Sequence, residues 1–358
     1  MAAVKSGKQL ADKFRSATLA HEQGRYTDAL ADYRTILRFV PDNFDVLHLQ
    51  GQCLIQSAQF AKAIPGLTRA VAVNPSSTEA WLDLGLACRK AGKPEQARQA
   101  YRNVLERDPD CLKAHLSLVE LKFPGDHYKT VLNNLHRWLA PATYLEIGVE
   151  TGESLAQACA ETHCIGVDPA PQIRYPLPTR CDIYSLTSDA FFSQFDPQAL
   201  FGLRPVDFAF IDGLHVFEAA LRDFIHVEQA SRHDTVIAIH DCIPLDVATS
   251  ARQRTTNFWS GDTWKLILAL RKYRPDLQLV SVATKPTGLG LVTGLDPDNR
   301  LLVEQYDRIV EEFIPMTYEH IAADEHEALN VMANDFESVT KWLQTCHLHQ
   351  TQHSATAL

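Results

Sequence analysis

Pro41, Pro75 and Pro109 stand 34 residues apart. The same period relates Ala29, Ala63 and Ala97, then Tyr33, Leu67 and Tyr101, then Gly24, Ala58 and Gly92, and finally Gly51 and Gly85. So many matches at one spacing mean that a single structural unit is copied along the chain. Each copy has an apolar face it cannot bury alone, so successive copies must stack into one continuous core. Small residues at Gly51, Gly85 and Ala97 let neighbouring helices approach closely, and each proline ends one unit before the next begins.

These positions resemble the tetratricopeptide repeat, and Trp81, Leu84 and Gly85 complete its pattern in the third unit. The resemblance implies an α-helical solenoid of helix-turn-helix units over residues 1–123. Three units run from about residue 10 to Asp110, and Leu112–Lys122 reads as an amphipathic helix covering the last open face. Solenoids present concave surfaces to peptides or partner proteins. No basic clamp recurs at matching positions of successive units, so a protein partner, a spacer and an element of oligomerisation all stay open.

The 358 residues leave room for a second domain. A hydrophobic fraction of 46% against 22% charged residues excludes disorder and fibrous repeats. The net charge of −10 argues against a nucleic-acid partner. The N-terminal stretch lacks the apolar core of a secretion signal, and no stretch reaches the ~18 apolar residues of a membrane span, so a cytoplasmic protein is expected. The eight cysteines form no C-x-x-C pair, which removes zinc knuckles and thioredoxin-like motifs and predicts reduced, mostly buried thiols.

The chain changes character at Phe123-Pro124-Gly125-Asp126. Residues 124–140 read as a junction and a lead-in helix, YKTVLNNLHRWL. From 141 to 297 the short apolar runs TYLEIG, HCIGVD, CDIYSL, VDFAFID and TVIAIHD alternate with helical stretches. This is the pattern of an α/β, Rossmann-like domain with a mostly parallel, doubly wound sheet. Ligands of such sheets sit at the strands' carboxyl ends, which directs attention to Glu146, Asp168, Asp189, Asp212 and His240-Asp241.

The first of these ends, Glu146-Ile-Gly148-Val-Glu150-Thr-Gly152-Glu153-Ser154, reads as a glycine turn into a helix. Glu146, Glu150 and Glu153 crowd it, which disfavours a pyrophosphate and suits a sulfonium with an amino group. Asp168, 22 residues after Glu146, stands where an acid can accept hydrogen bonds from both ribose hydroxyls. Ser188-Asp189 falls where an adenine contact is expected.

Together with IAIHDCIP, GDTWKLILALRKYRPDL and PTGLGLVTGL, these strings resemble a class I S-adenosylmethionine-dependent methyltransferase, and within that superfamily the macrolide-sugar O-methyltransferase group. The resemblance implies S-adenosylmethionine as cofactor, held by Glu146, Gly148, Gly152, Asp168, Ser188, Asp189 and Asp212. It also implies an antiparallel strand in PTGLGLVTGL and a sugar, glycan or other small hydroxylated acceptor.

An acceptor hydroxyl must lose its proton, and His215 and His240, with Asp241 beside the latter, are the catalytic candidates. Asp212 and Asp241 form a candidate site for a divalent metal ion, which would acidify a bound hydroxyl. The resembling group carries an acid where this chain has His240, and a nitrogen ligand suits Mn²⁺ or Zn²⁺ better than Mg²⁺. A metal hydrolase built on these residues is the alternative that the glycine turn disfavours. The loop 251–262 is placed to cover the site, with Arg252, Arg254, Trp259 and Asp262 either gripping an acceptor or, for Asp262, capping a helix. Residues 298–346 read as a helical segment serving as lid or dimer arm, and 347–358 as a disordered tail. The leading expectation is a methyltransferase with a recruiting repeat domain; the alternative is an interaction scaffold whose methyltransferase domain is vestigial or regulatory.

Overall fold

A computed structural model describes the backbone of residues 2–355 and the side chains of 7–346. The tail expected to be disordered, 347–358, lies outside the residues described to side-chain level. The chain divides into two compact units, Met1–Leu121 and Lys122–Leu358.

The first unit is the expected helical solenoid. Its described residues form α1 (Ala2–Glu22), α2 (Tyr26–Phe39), α3 (Phe44–Gln56), α4 (Phe60–Val73), α5 (Thr78–Lys90), α6 (Pro94–Leu105) and α7 (Leu112–Lys122), whose last residue opens the second unit. The helices pack as antiparallel pairs. A methyl group added to Gly51 would lie 2.4 Å from Leu67, and one added to Gly85 would lie 2.5 Å from Tyr101. The periodic glycines therefore sit where the two helices of a pair touch, opposite the periodic bulky residue. Ala29, Ala63 and Ala97 are fully buried.

The second unit opens with α8 (Tyr128–Leu139) and builds an eight-stranded sheet from β1 (Thr143–Ile147), β2 (His163–Val167), β3 (Cys181–Tyr184), β4 (Val206–Ile211), β5 (Ser231–His240), β6 (Gln278–Val282), β7 (Leu289–Thr293) and β8 (Val331–Met332). Their order is β3-β2-β1-β4-β5-β7-β6-β8. Strands β1 to β5 are parallel, and β7 inserts antiparallel between β5 and β6. The sheet reverses its order of addition at β1, so the carboxyl ends of β1 and β4 open a crevice. The helices are α9 (Ser188–Gln194), α10 (Pro197–Leu200), α11 (Phe217–Gln229), α12 (Lys265–Tyr273), α13 (Leu301–Glu304), α14 (Tyr306–Phe313), α15 (Glu325–Ala328) and α16 (Phe336–Ala355).

Two expectations are corrected here. The glycine turn after β1 does not feed an α-helix: in the 15 residues that join β1 to β2 the one helical element is a 3₁₀ turn, Leu155–Gln157. The segment after 297 is built into the sheet unit rather than standing apart from it. Strand β8 pairs with β6 at the sheet edge, and Val339 and Leu343 of α16 are buried in one cluster with Leu132 and Leu135 of α8. No described helix is long and apolar enough to cross a membrane. All eight cysteines are free, five of them buried.

Candidate active site

The carboxyl ends of β1, β2 and β4 are tied together by backbone. Gly148 N donates to Val167 O at 2.8 Å, and Asp212 N donates to Ile147 O at 2.8 Å. Gly148 has φ +89°, and a Cβ there would lie 1.9 Å from Asp212 O, so no other residue fits. Its close approach is to the neighbouring strand end. The turn that follows is fixed by Asp168, whose Oδ2 accepts from Glu150 N and whose Oδ1 accepts from Ala170 N, both at 2.8 Å.

These ends enclose a cavity of about 660 Å³. Gly148, Asp168, Ser188, Asp189, Asp212, His215 and His240 of the expected site all lie on its wall. Glu146, Gly152 and Asp241 do not. Gly152 is buried behind Ile173 and Leu177. Glu146 has no exposed surface and receives hydrogen bonds from Tyr144 Oη and Ser154 Oγ, both at 2.6 Å. Burial outweighs those two donors and pushes its carboxyl up to about 8. Glu146 therefore shapes the turn from behind as a neutral acid. The negative charge facing the cavity comes from Glu150, Glu153, Asp168, Asp189 and Asp212.

Beyond the turn, two carboxylates and two imidazoles meet. His240 Nδ1 lies 3.0 Å from Asp212 Oδ1 and 3.6 Å from Asp241 Oδ1. His215 Nδ1 lies 2.9 Å from Asp241 Oδ2, and its Nε2 lies 3.6 Å from Asp212 Oδ1. Asp241 is buried with φ +60°, and Thr287 Oγ1 donates to it. Burial opposes charge on His215, but Asp241 and Asp212 outweigh it and carry the ring to about 9. His240 also shifts upward: burial is overcome by the same two acids. Burial would raise Asp241, yet His240, His215 and the Thr287 hydroxyl hold it below the usual carboxylate range. The two acids thus favour the protonated form of each imidazole.

Aromatic rings hold both histidines. Trp259 stacks on His215 at 5.6 Å and 12°, and Tyr128 packs on His240 at 4.0 Å. Tyr128 and Lys129, at the start of α8, also line the cavity. Sequence reading missed both, because YKTVLNNLHRWL shows only an amphipathic helix and nothing in it points to a ligand.

The covering loop is more self-contained than expected. Arg252 pairs with Glu218 and with Asp262, whose Oδ2 lies 3.5 Å away. Fully buried Asp262 accepts from Phe217 N at 2.7 Å and from Lys265 Nζ at 2.8 Å. It is a helix cap, but for α11. Arg254 lies over the Trp259 ring. Asp262, fully buried, is taken up by these contacts, whereas Arg252 stays partly exposed beside Glu218. Asp189 is similarly held by Arg222 through two bonds of 2.8 and 3.0 Å.

Residues 145–242 match the family model described as "Methyltransferase domain", and 14–64, 48–110 and 89–121 match "Tetratricopeptide repeat". The chain joins tetratricopeptide repeats to a methyltransferase domain. A curated relative, the Protein CTR9 homolog of Arabidopsis thaliana, is 32% identical over 97 residues, covering 27% of this chain and 9% of that protein. The chain thus spans less than a tenth of that relative's length. Among solved structures, the first repeat domain of Spaghetti (RPAP3) bound to an HSP90 peptide is 25% identical, with TM-score 0.31, over 32% of this chain and 90% of its own. The first repeat domain of human RPAP3 is 26% identical, with TM-score 0.29, over 31% and 88%.

Proposed function

We propose that the methyltransferase domain uses S-adenosylmethionine to methylate a hydroxyl of a small acceptor, a sugar or glycan being the class the sequence resemblance favours. One observation carries the reading: an acid-lined cavity at the crevice where the sheet reverses order, floored by the Gly148 turn and Asp168. The carboxylates repel a pyrophosphate and, with no α-helix after the turn, no helix end is available to hold one. A sulfonium and an ammonium are favoured by the same charge.

Within this reading each wall residue has a task. Asp168, fixed by two backbone N–H groups, keeps lone pairs for ribose hydroxyls. Ser188 supports the adenine, while Asp189 serves by holding Arg222. Asp212 faces the transferred methyl. Catalysis then rests on aligning the acceptor and removing its proton. His215, the more exposed of the two imidazoles, receives that proton in its neutral form, which the acids around it make the minor one below about pH 9, and buried Asp241 orients its ring. His240 is held between Asp212 and Tyr128 and sets the charge around them.

Ligand atoms of Asp212, His240 and Asp241 lie within 4.8 Å of one another. Two carboxylates and an imidazole suit a nitrogen-accepting ion rather than Mg²⁺. Those three residues would hold it, and when bound it would acidify the acceptor hydroxyl. The repeat domain would recruit a protein partner or an extended acceptor.

Calorimetry tests the cofactor assignment. Purified protein should bind S-adenosylmethionine, and Asp168→Ala should weaken binding at least tenfold, about 1.4 kcal/mol. Absence of binding by the wild type overturns the reading. Labelled S-adenosylmethionine offered with fractionated cell extract, followed by mass spectrometry, would identify the acceptor.

A further inference from the structure

The cavity wall carries two side-chain cations besides the histidines, Lys129 and Arg222. They are held very differently. Arg222 is gripped at both ends of its guanidinium by Asp189 and also donates to Tyr306 Oη at 2.7 Å and Glu218 O at 3.2 Å. Lys129 Nζ pairs with the Glu153 carboxylate and lies 5.7 Å from the centre of the Tyr128 ring, and the paired side chains are 29% and 39% exposed. An ion pair this open contributes ~0–1 kcal/mol, so its partners can be exchanged at little cost.

Both members are nevertheless well placed. Tyr128, adjacent to Lys129, is buried against His240, which fixes the first turn of α8 beside the reacting cluster. Ser154, adjacent to Glu153, is anchored by its hydrogen bond to buried Glu146. The wall thus presents one ammonium and one carboxylate, each on a rigid base, each facing the same cavity. The complementary ligand group is a zwitterion. Its carboxylate pairs with Lys129 and its ammonium with Glu153, so two ion pairs replace one.

We infer that Lys129 and Glu153 bind the α-amino-acid end of the ligand, an ammonium carboxylate. This rests on the S-adenosylmethionine reading above and extends the site upstream of the matched segment 145–242, into α8. Lys129 is a binding and specificity residue: it separates ligands that carry an amino-acid end from adenine thioethers that lack one.

The test is calorimetry on the full chain with three ligands: S-adenosylmethionine, S-adenosylhomocysteine and 5′-methylthioadenosine, the last having no amino-acid end. Lys129→Met should weaken the first two at least tenfold and change the third less than twofold. Lys129→Arg should recover most of the loss. Equal thermal midpoints for the variants and the wild type would confirm that folding is intact. Unchanged affinity for S-adenosylhomocysteine in Lys129→Met would overturn the assignment, as would an equal loss for all three ligands. If the wild type binds none of the three, the methyltransferase reading falls and this assignment with it. If it binds all three and Lys129→Met is silent, only the assignment falls.

Discussion

Glu146 shows how far a residue's chemistry depends on which way it faces. The sequence places it among the cofactor ligands, at the end of β1 in a glycine turn. In the fold it points into the protein, and burial lifts its carboxyl from 4.5 to about 8. The folded chain therefore keeps a proton between pH 4.5 and 8 that the unfolded chain releases. Stability must fall as pH rises through that window, and the fall is complete above pH 8. Glu146→Gln, neutral at every pH and able to pair with Ser154 and Tyr144, should flatten this part of the stability profile and leave the variant at least as stable as wild type at pH 8.5. Chemical denaturation at a series of pH values checks this. S-adenosylmethionine affinity should change less than threefold in the same variant, whereas a direct cofactor role would abolish binding. Asp168 was legible where Glu146 was not, because a strand-end acid is held on the crevice side by the turn's own N–H groups. A glutamate inside β1 has no such constraint, and alternation along a strand buried on both faces carries no signal for its direction.

At the scale of the element, the repeats were legible in detail because their determinants are local and recur. Gly24 and Gly92 each close the turn within a helix pair at φ +72°, and the period assigns the same task to Ala58, which sits at φ +56°. A side chain in the left-handed region costs ~1 kcal/mol. Ala58→Gly should therefore raise the stability of the repeat unit by about 1 kcal/mol, read as a higher denaturant midpoint in the full chain with unchanged helical circular dichroism. The five parallel strands were equally legible as short runs rich in apolar residues, four of them ending in an acid or a glycine. The crossovers between them were not. Nothing in the residues after Gly152 distinguishes a helix from the single 3₁₀ turn observed, since Leu155, Ala156 and Ala158 suit either. Strand β8 is two residues long, too short for any period, and exists only because β6 offers it an unpaired edge. Lys129 was invisible for a related reason: its relevance comes from where α8 starts relative to the sheet.

At the scale of the whole molecule, the methyltransferase domain is larger than the segment that matches its family. Residues 145–242 supply β2, β3, β4, β5 and most of β1 with the cavity floor, but Leu132 and Leu135 from α8 and Val339 and Leu343 from α16 are all buried in the core on which those strands rest. Strand β7 covers the edge of β5 through Ile237 to His240, the stretch that carries the imidazole at the site. Its loop also brings Thr287 to Asp241. The segment after 297 adds Ile309, Phe313 and Leu329, all buried, to the same unit. A lid or a dimer arm could be removed with loss of turnover or of assembly alone. An integral layer cannot: stripping four or more large buried side chains from a core costs ~2–5 kcal/mol apiece, more than the net stability of a typical domain. A chain ended at Pro297 should therefore lose the cooperative unfolding transition of the sheet unit and its S-adenosylmethionine binding together, while repeat helicity survives in its far-ultraviolet circular dichroism. Retention of a cooperative transition and of cofactor binding in that truncated chain would return the C-terminal segment to the role of an accessory arm.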